Sequence, residues 1–159
     1  MKRTLKIVVV LFSITIISLV ACSKRDQVIH VEEDDAEMNA AIAKGRETLP
    51  HFWQVFEKRA RGESDFALKV KVEDANGTEY FWANEIERQG GKVMGTINND
   101  PNIVKSVKLG GRMEISEADI SDWMYMREGK MIGNHTLKPL LKQMPADEAK
   151  KLKSIMADP

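Results

Sequence analysis

Alternation constrains this chain more than any other feature. Across Phe66, Leu68, Val70 and Val72, apolar side chains alternate with Ala67, Lys69 and Lys71. A two-residue period of this kind buries one face of a β-strand and fits no helix. Asn76-Gly77 follows and supplies the positive backbone torsions of a tight hairpin turn, so Tyr80 to Ile86 is predicted to return antiparallel. A third strand is expected from Lys92 to Asn98, ended by Asn98, Asn99, Asp100 and Pro101, residues that suit a turn. Beyond it Ile103, Val104 and Val107 recur at helical steps, which predicts one short helical turn. "GRMEI", "DISDWMYMR" and "MIGNHTLKPLL" read as further strands, separated by Gly110-Gly111, by "SEA" and by "EGK". Pro139 has no amide to give a ladder and places the last of them at a sheet edge, or ends it.

Helices flank this region. Asp34 or Asp35 is suited to cap a helix whose stripe runs through Met38, Ile42, Gly45, Leu49, Phe52, Trp53 and Phe56. Pro50 lies inside the stripe, where it removes a donor and crowds the carbonyl four residues back, so a kink or two consecutive helices is expected. Near the C-terminus Pro145 suits a first helical position, with Leu152, Ile155 and Met156 as a modest apolar stripe. The expected fold is α+β: an N-terminal helical segment kinked at Pro50, packed on a mainly antiparallel, twisted β-sheet, with a short C-terminal helix. At 159 residues, 43% hydrophobic and 30% charged, the chain suits one globular domain, placed at residues 35–159.

The first 34 residues obey other rules. Lys2, Arg3 and Lys6 precede an apolar run from Ile7 to Val20, the layout of a secretory signal over residues 1–21 and short of the roughly 20 residues a membrane span needs. Leu19-Val20-Ala21-Cys22 then resembles a bacterial lipobox, in which a diacylglycerol is joined to the cysteine sulfur and the chain is cut just before it. Cys22 is the single cysteine, so once acylated it leaves no thiol for a disulfide or redox centre. The alternatives are an uncleaved anchor, or ordinary cleavage with a spare thiol. Residues 22–34 read as the lipidated cysteine and a polar tether. Ser23, where an Asp would signal inner-membrane retention in the enterobacterial pattern, favours the outer membrane. The expected location is the bacterial cell envelope, lipid-anchored and facing the periplasm. Bases and acids balance at 24 each in the whole chain, and without the signal the remainder carries a net charge of about −3. A weakly acidic body of this kind offers no electrostatic attraction to nucleic acid.

Several stretches point to one family. "DDAEMNAAIAKGRETL", "FALKV", "GTINNDP", "DWMY" and "GKMIGNHT" resemble the YegJ-like family, catalogued as domain of unknown function 2314, over about Asp34 to Met144. Gly45 and Pro50 depart from the pattern expected of its helix. The resemblance implies small envelope lipoproteins or isolated domains, with no established activity to carry over.

Candidate chemistry is sparse. Asn98, Asn99 and Asp100 form either a polar recognition loop or a turn whose side chains bond the local backbone. Asp122 beside Trp123 and Tyr125 suits sugar or peptide binding, yet in a strand Trp123 and Tyr125 share one face and Asp122, Met124 and Met126 the other. The competing reading makes Trp123 core and has Asp122 bond a loop amide. Met94, Met113, Met124, Met126 and Met131, near His135 in sequence, allow a soft-metal site for copper, or are flexible core filler. No Gly-x-Ser-x-Gly, His-Glu-x-x-His, phosphate loop or dinucleotide motif is present. The sequence therefore favours a binding module without catalysis, cofactor or resident metal, directed at an envelope protein or cell-wall component. Its rival is a small periplasmic hydrolase using Asp122 and His135, which requires those side chains within hydrogen-bond reach in one cleft.

Overall fold

The computed structural model describes residues 35–158. The signal segment, Cys22, Ser23 and the tether to residue 34 lie outside the described residues. Asp35 caps helix α1 (Ala36–Lys58), its carboxylate accepting from the amides of Glu37 and Met38 at 2.9 and 3.0 Å. The helix passes through Pro50 as one element, so the expectation of two consecutive helices is corrected. Packing of the Leu49, Phe52, Trp53 and Phe56 face on the sheet holds the turn that Pro50 weakens.

Seven strands follow: β1 (Glu63–Asp74), β2 (Gly77–Gln89), β3 (Lys92–Ile97), β4 (Arg112–Ile115), β5 (Ile120–Arg127), β6 (Lys130–Gly133) and β7 (Met156–Ala157). They form one sheet in the order β4-β3-β2-β1-β5-β6-β7, antiparallel throughout except where β7 lies parallel to β6. Short helices α2 (Leu137–Leu140) and α3 (Ala146–Ile155) lie between β6 and β7. No helix of the described residues is long and apolar enough to cross a membrane. The α+β architecture read from the pattern is the one observed.

The alternation does what it promises. Leu68, Val70 and Val72 point into the core with Phe81, Ala83, Val93, Gly95, Ile97, Trp123, Tyr125 and Ile132, under the apolar face of α1. Their neighbours Ala67, Lys69, Lys71, Trp82, Asn84, Met94, Thr96, Met124, Met126 and Met131 take the other face, where all are half-buried.

Four local expectations are corrected. The hairpin turn is Ala75-Asn76, with Gly77 opening β2 at φ 139° opposite Asp74. The Asp74 carboxylate accepts from the Asn76 amide at 2.7 Å and so fixes the turn one residue early. Residues 102–107 form no helical turn. Five successive amides there are taken by two carboxylates: Glu79 accepts from Asn102, Ile103 and Val104, and Asp74 from Lys105 and Ser106. Spent this way, those donors are lost to a helix, and Val104 is delivered fully buried to the core. The third correction is Pro139, which lies inside α2 because β6 stops at Gly133. Finally, Pro145 occupies the N-cap position of α3, one residue before the first helical position, and Met156 leaves the helix for β7.

Gly45 explains its own departure from the helix pattern. A Cβ there would lie 2.7 Å from the Ser121 carbonyl oxygen and 2.9 Å from Asp122 Oδ1, so α1 reaches this depth on β5 only with a hydrogen at that position. Intrinsic propensity favours Ala over Gly in a helix by about 1 kcal/mol. Gly45→Ala is nevertheless expected to lower stability, by roughly 1–3 kcal/mol, because the atoms it meets are backbone and a pinned carboxylate. Urea unfolding of the purified protein checks this; a rise in the midpoint would contradict the close approach.

Candidate functional site

Asp122 enters β5 beside a register shift in its pairing with β1, where Lys69 faces Asp122 and Val70 faces Ile120. The extra residue, Ser121, donates its hydroxyl to the Lys69 carbonyl at 3.0 Å. At this bulge the Asp122 carboxylate is fully buried. It stays there because four donors fill it. Oδ1 accepts from the Trp123 amide at 2.9 Å and from His135 Nδ1 at 3.0 Å, and Oδ2 accepts from the Thr136 amide at 2.7 Å and the Thr136 hydroxyl at 2.8 Å. An ionised carboxylate only accepts, so Nδ1 is the ring nitrogen that carries the proton. Lys69 Nζ donates to the same Thr136 hydroxyl at 3.1 Å and lies 5.7 Å from the Trp82 ring centre.

Burial alone would push the Asp122 carboxyl upward. The hydrogen bonds from His135, Thr136 and Trp123 together outweigh it and hold the group below its ordinary value of 3.8. Burial lowers the Lys69 ammonium from its ordinary value, with the Asp122 charge opposing.

The segment that supplies these donors is folded for the purpose. Gly133 (φ 84°) presses on Trp123, and a Cβ there would sit 2.6 Å from the indole ring. Asn134 (φ 51°) continues the turn, its amide bonded to the Trp123 carbonyl at 2.8 Å. His135 then stands edge-on to the indole at a centroid distance of 5.4 Å. On the other side Trp123 Nε1 donates to the Gly45 carbonyl at 3.0 Å and the Thr48 hydroxyl at 3.1 Å. The Asp122-Trp-x-Tyr and Gly-Asn-His-Thr stretches therefore meet α1 in one polar and aromatic joint.

Asp122 and His135 are thus brought into contact, as a hydrolase would require, but without the cleft. His135 is 7% exposed and Asp122 0%. An open cleft of about 450 Å³ lies instead among Arg46, Trp53, Glu57, Arg88 and Glu117. Its charges are already engaged: Arg88 pairs with Glu57 and Glu117, and Arg46 donates to the carbonyls of Ile120 and Ala118.

Trp123 and Tyr125, expected as candidate binding residues, are both fully buried and cannot grip a ligand. Tyr125 stacks on Phe66 and lies 3.4 Å from His51 Nε2 through its hydroxyl, in an aromatic cluster with Phe52 and Phe56. In the third candidate stretch, Asn99 Oδ1 accepts from the Trp82 amide at 2.9 Å and extends the β2–β3 ladder with a side chain. Asn98 and Asp100 remain exposed. Lys69, Glu79 and Asp74 were not singled out from sequence. Lys69 carried no usable signal: its alternation marked it as solvent-facing, and its place opposite Trp82 follows only from the register of the Ala75-Asn76 turn.

A family model described as "Uncharacterized protein conserved in bacteria (DUF2314)" matches residues 35–157. The chain belongs to this family. It is 37% identical over 121 residues to "Uncharacterized protein YegJ" of Escherichia coli strain K12, covering 76% of this chain and 78% of the relative. It is 35% identical over 133 residues to a "Putative ankyrin repeat protein" of Neisseria meningitidis serogroup B, covering 77% of this chain and 52% of that protein. No solved structure matches at a significant level. In this DUF2314 chain the joint predicts its own pH dependence. The Asp122 carboxyl is lower in the folded than in the unfolded protein, so its contribution is fully present above pH about 4 and is lost as pH falls further. Asp122→Asn is expected to cost on the order of 3 kcal/mol at neutral pH and to flatten this acid limb. Unfolding measured from pH 3 to pH 7 decides it; equal slopes in both proteins would contradict the ionised joint.

Proposed function

We propose that this DUF2314 chain is a lipid-anchored, periplasm-facing module that binds an envelope protein without turning anything over. The carrying observation is the closed state of Asp122. Its four donors are internal and both partners are buried, so this Asp–His pair, catalytic in composition, is spent on structure. The hydrolase reading lacks a reachable acid or base. Lipobox-like residues 19–22 support the anchor, and Ser23 supports the outer membrane. Since each buried methylene adds about 0.8 kcal/mol, the two or three acyl chains of such an anchor hold the protein with no membrane-binding face of its own.

The surface proposed for the partner is the sheet face turned away from α1. It displays Tyr80, 41% exposed, beside half-buried Trp82, with Lys71 and Thr96 around them. Aromatic side chains with a polar rim suit protein contact better than the scattered charge elsewhere.

A photo-crosslinking amino acid at Tyr80 or Thr96, compared with one at Gln54 on the exposed side of α1, tests this in living cells, with the wild-type Cys22 and with Cys22→Ser. The expected result is one discrete protein adduct from Tyr80 and Thr96 and none from Gln54. The Cys22→Ser chain should remain an unprocessed precursor, take up no palmitate label and lose the adduct. Normal processing of that chain would refute the anchor, and equal adducts from both faces would refute the surface.

A further inference from the structure

The methionines noted in sequence fall into two groups in the fold. Met113 faces Gly95 on the core side and Met94 lies on β3, whereas Met126, Met131 and Met156 come together at the far edge of the sheet. Met126 on β5 is the register partner of Met131 on β6, and Met131 is the register partner of Met156 on β7. Register partners project from the same face of a sheet with Cβ atoms roughly 5 Å apart. Three thioethers therefore stand in one row across three adjacent strands. Met124, on the same face and about 7 Å further along β5, is the next sulfur.

We propose that Met126, Met131 and Met156 form a thioether site for a soft monovalent cation, Cu(I) or its analogue Ag(I). This rests on a different observation from the partner surface and stands independently of it. Thioether sulfur is a soft, neutral donor that selects such ions over zinc, magnesium or calcium. All three side chains are half-buried, so an ion reaches them from solvent. One sulfur is already positioned: Asn134 Nδ2 donates to Met131 Sδ at 3.2 Å, leaving its second lone pair for the ion. The neighbouring cations project from the opposite face. Arg127 pairs with Glu63 and lies over the Tyr125 ring, and Lys130 Nζ donates to the Ser154 carbonyl. Residue 64, the β1 partner of Met126, is an uncharged Ser. Among the described residues no three of His, Cys, Asp and Glu converge as metal ligands, and His135, close to these methionines in sequence, is committed to Asp122.

The test uses the full chain carrying Cys22→Ser, which removes the single thiol, titrated with Ag(I) alone and followed by the methyl resonances of its methionines. The expected result is one bound ion that shifts Met126, Met131 and Met156 while Met38, Met94, Met113 and Met144 stay in place. Met131→Leu conserves volume and should weaken Ag(I) binding at least about tenfold with the fold intact by circular dichroism. Met94→Leu should leave binding as it was, and anaerobic competition for Cu(I) against a chromogenic chelator should repeat the pattern. Shifts spread over all methionines, no binding, or undiminished binding by Met131→Leu would each overturn the site.

Discussion

A carboxylate with no solvent contact is stable only if the protein supplies what water did, and the fold is arranged around doing so for Asp122. Removing an ion of this size from water costs several kcal/mol even after relaxation. Three donors come from the loop after β6, the His135 ring, the Thr136 amide and the Thr136 hydroxyl, and one comes from β5 itself. The consequence is mechanical. The chain leaving β6 is bent back over Trp123 and held there, α1 is admitted to within hydrogen-bond distance of the same indole, and Gly45 and Gly133 are the positions where any side chain would keep them apart.

With that joint closed, the two faces of the sheet have different fates. One carries α1 and the aromatic cluster, and is sealed. The other keeps its alternate residues half-exposed, and its chemistry changes along the strand order: aromatics and lysines over β1 and β2, thioethers over β5 to β7. The long segment between β3 and β4 is managed without regular structure. Glu79 and Asp74 gather five consecutive amides, which holds Asp74 far below the ordinary carboxylate range through the amides of Asn76, Lys105 and Ser106.

Much of this was legible from local pattern. The period of two in Phe66 to Val72 and the stripe from Leu49 to Phe56 are one-dimensional records of burial, and the sheet and α1 follow from them. Asp35 as cap followed from residue type. What failed was decided by partners distant in sequence. The apolar spacing of Ile103, Val104 and Val107 suggested a helical turn because nothing nearby reveals that Glu79 and Asp74, about 25 to 30 residues earlier, will take the amides. Trp123 and Tyr125 invited a ligand because alternation tells which residues share a face but not which face is covered. Gly45 looked like a fault in a helix; its reason lies in β5, more than seventy residues away. Contact between Asp122 and His135 was foreseen as a condition for chemistry, and the structure brings the two together in a buried, fully hydrogen-bonded joint with no cleft beside it.

The central claim is that the Asp122 joint is a permanent structural closure and never opens as a working site. Native-state hydrogen exchange of the Thr136 amide, which donates to Asp122 at 2.7 Å, tests it most directly. If the closure is structural, this amide exchanges only through global unfolding, with the same free energy and denaturant dependence as the most protected amides of the β1–β2 pair. Exchange of Thr136 through a local opening well below that energy, with the β1–β2 pair still protected, would show a gate where this account places a joint.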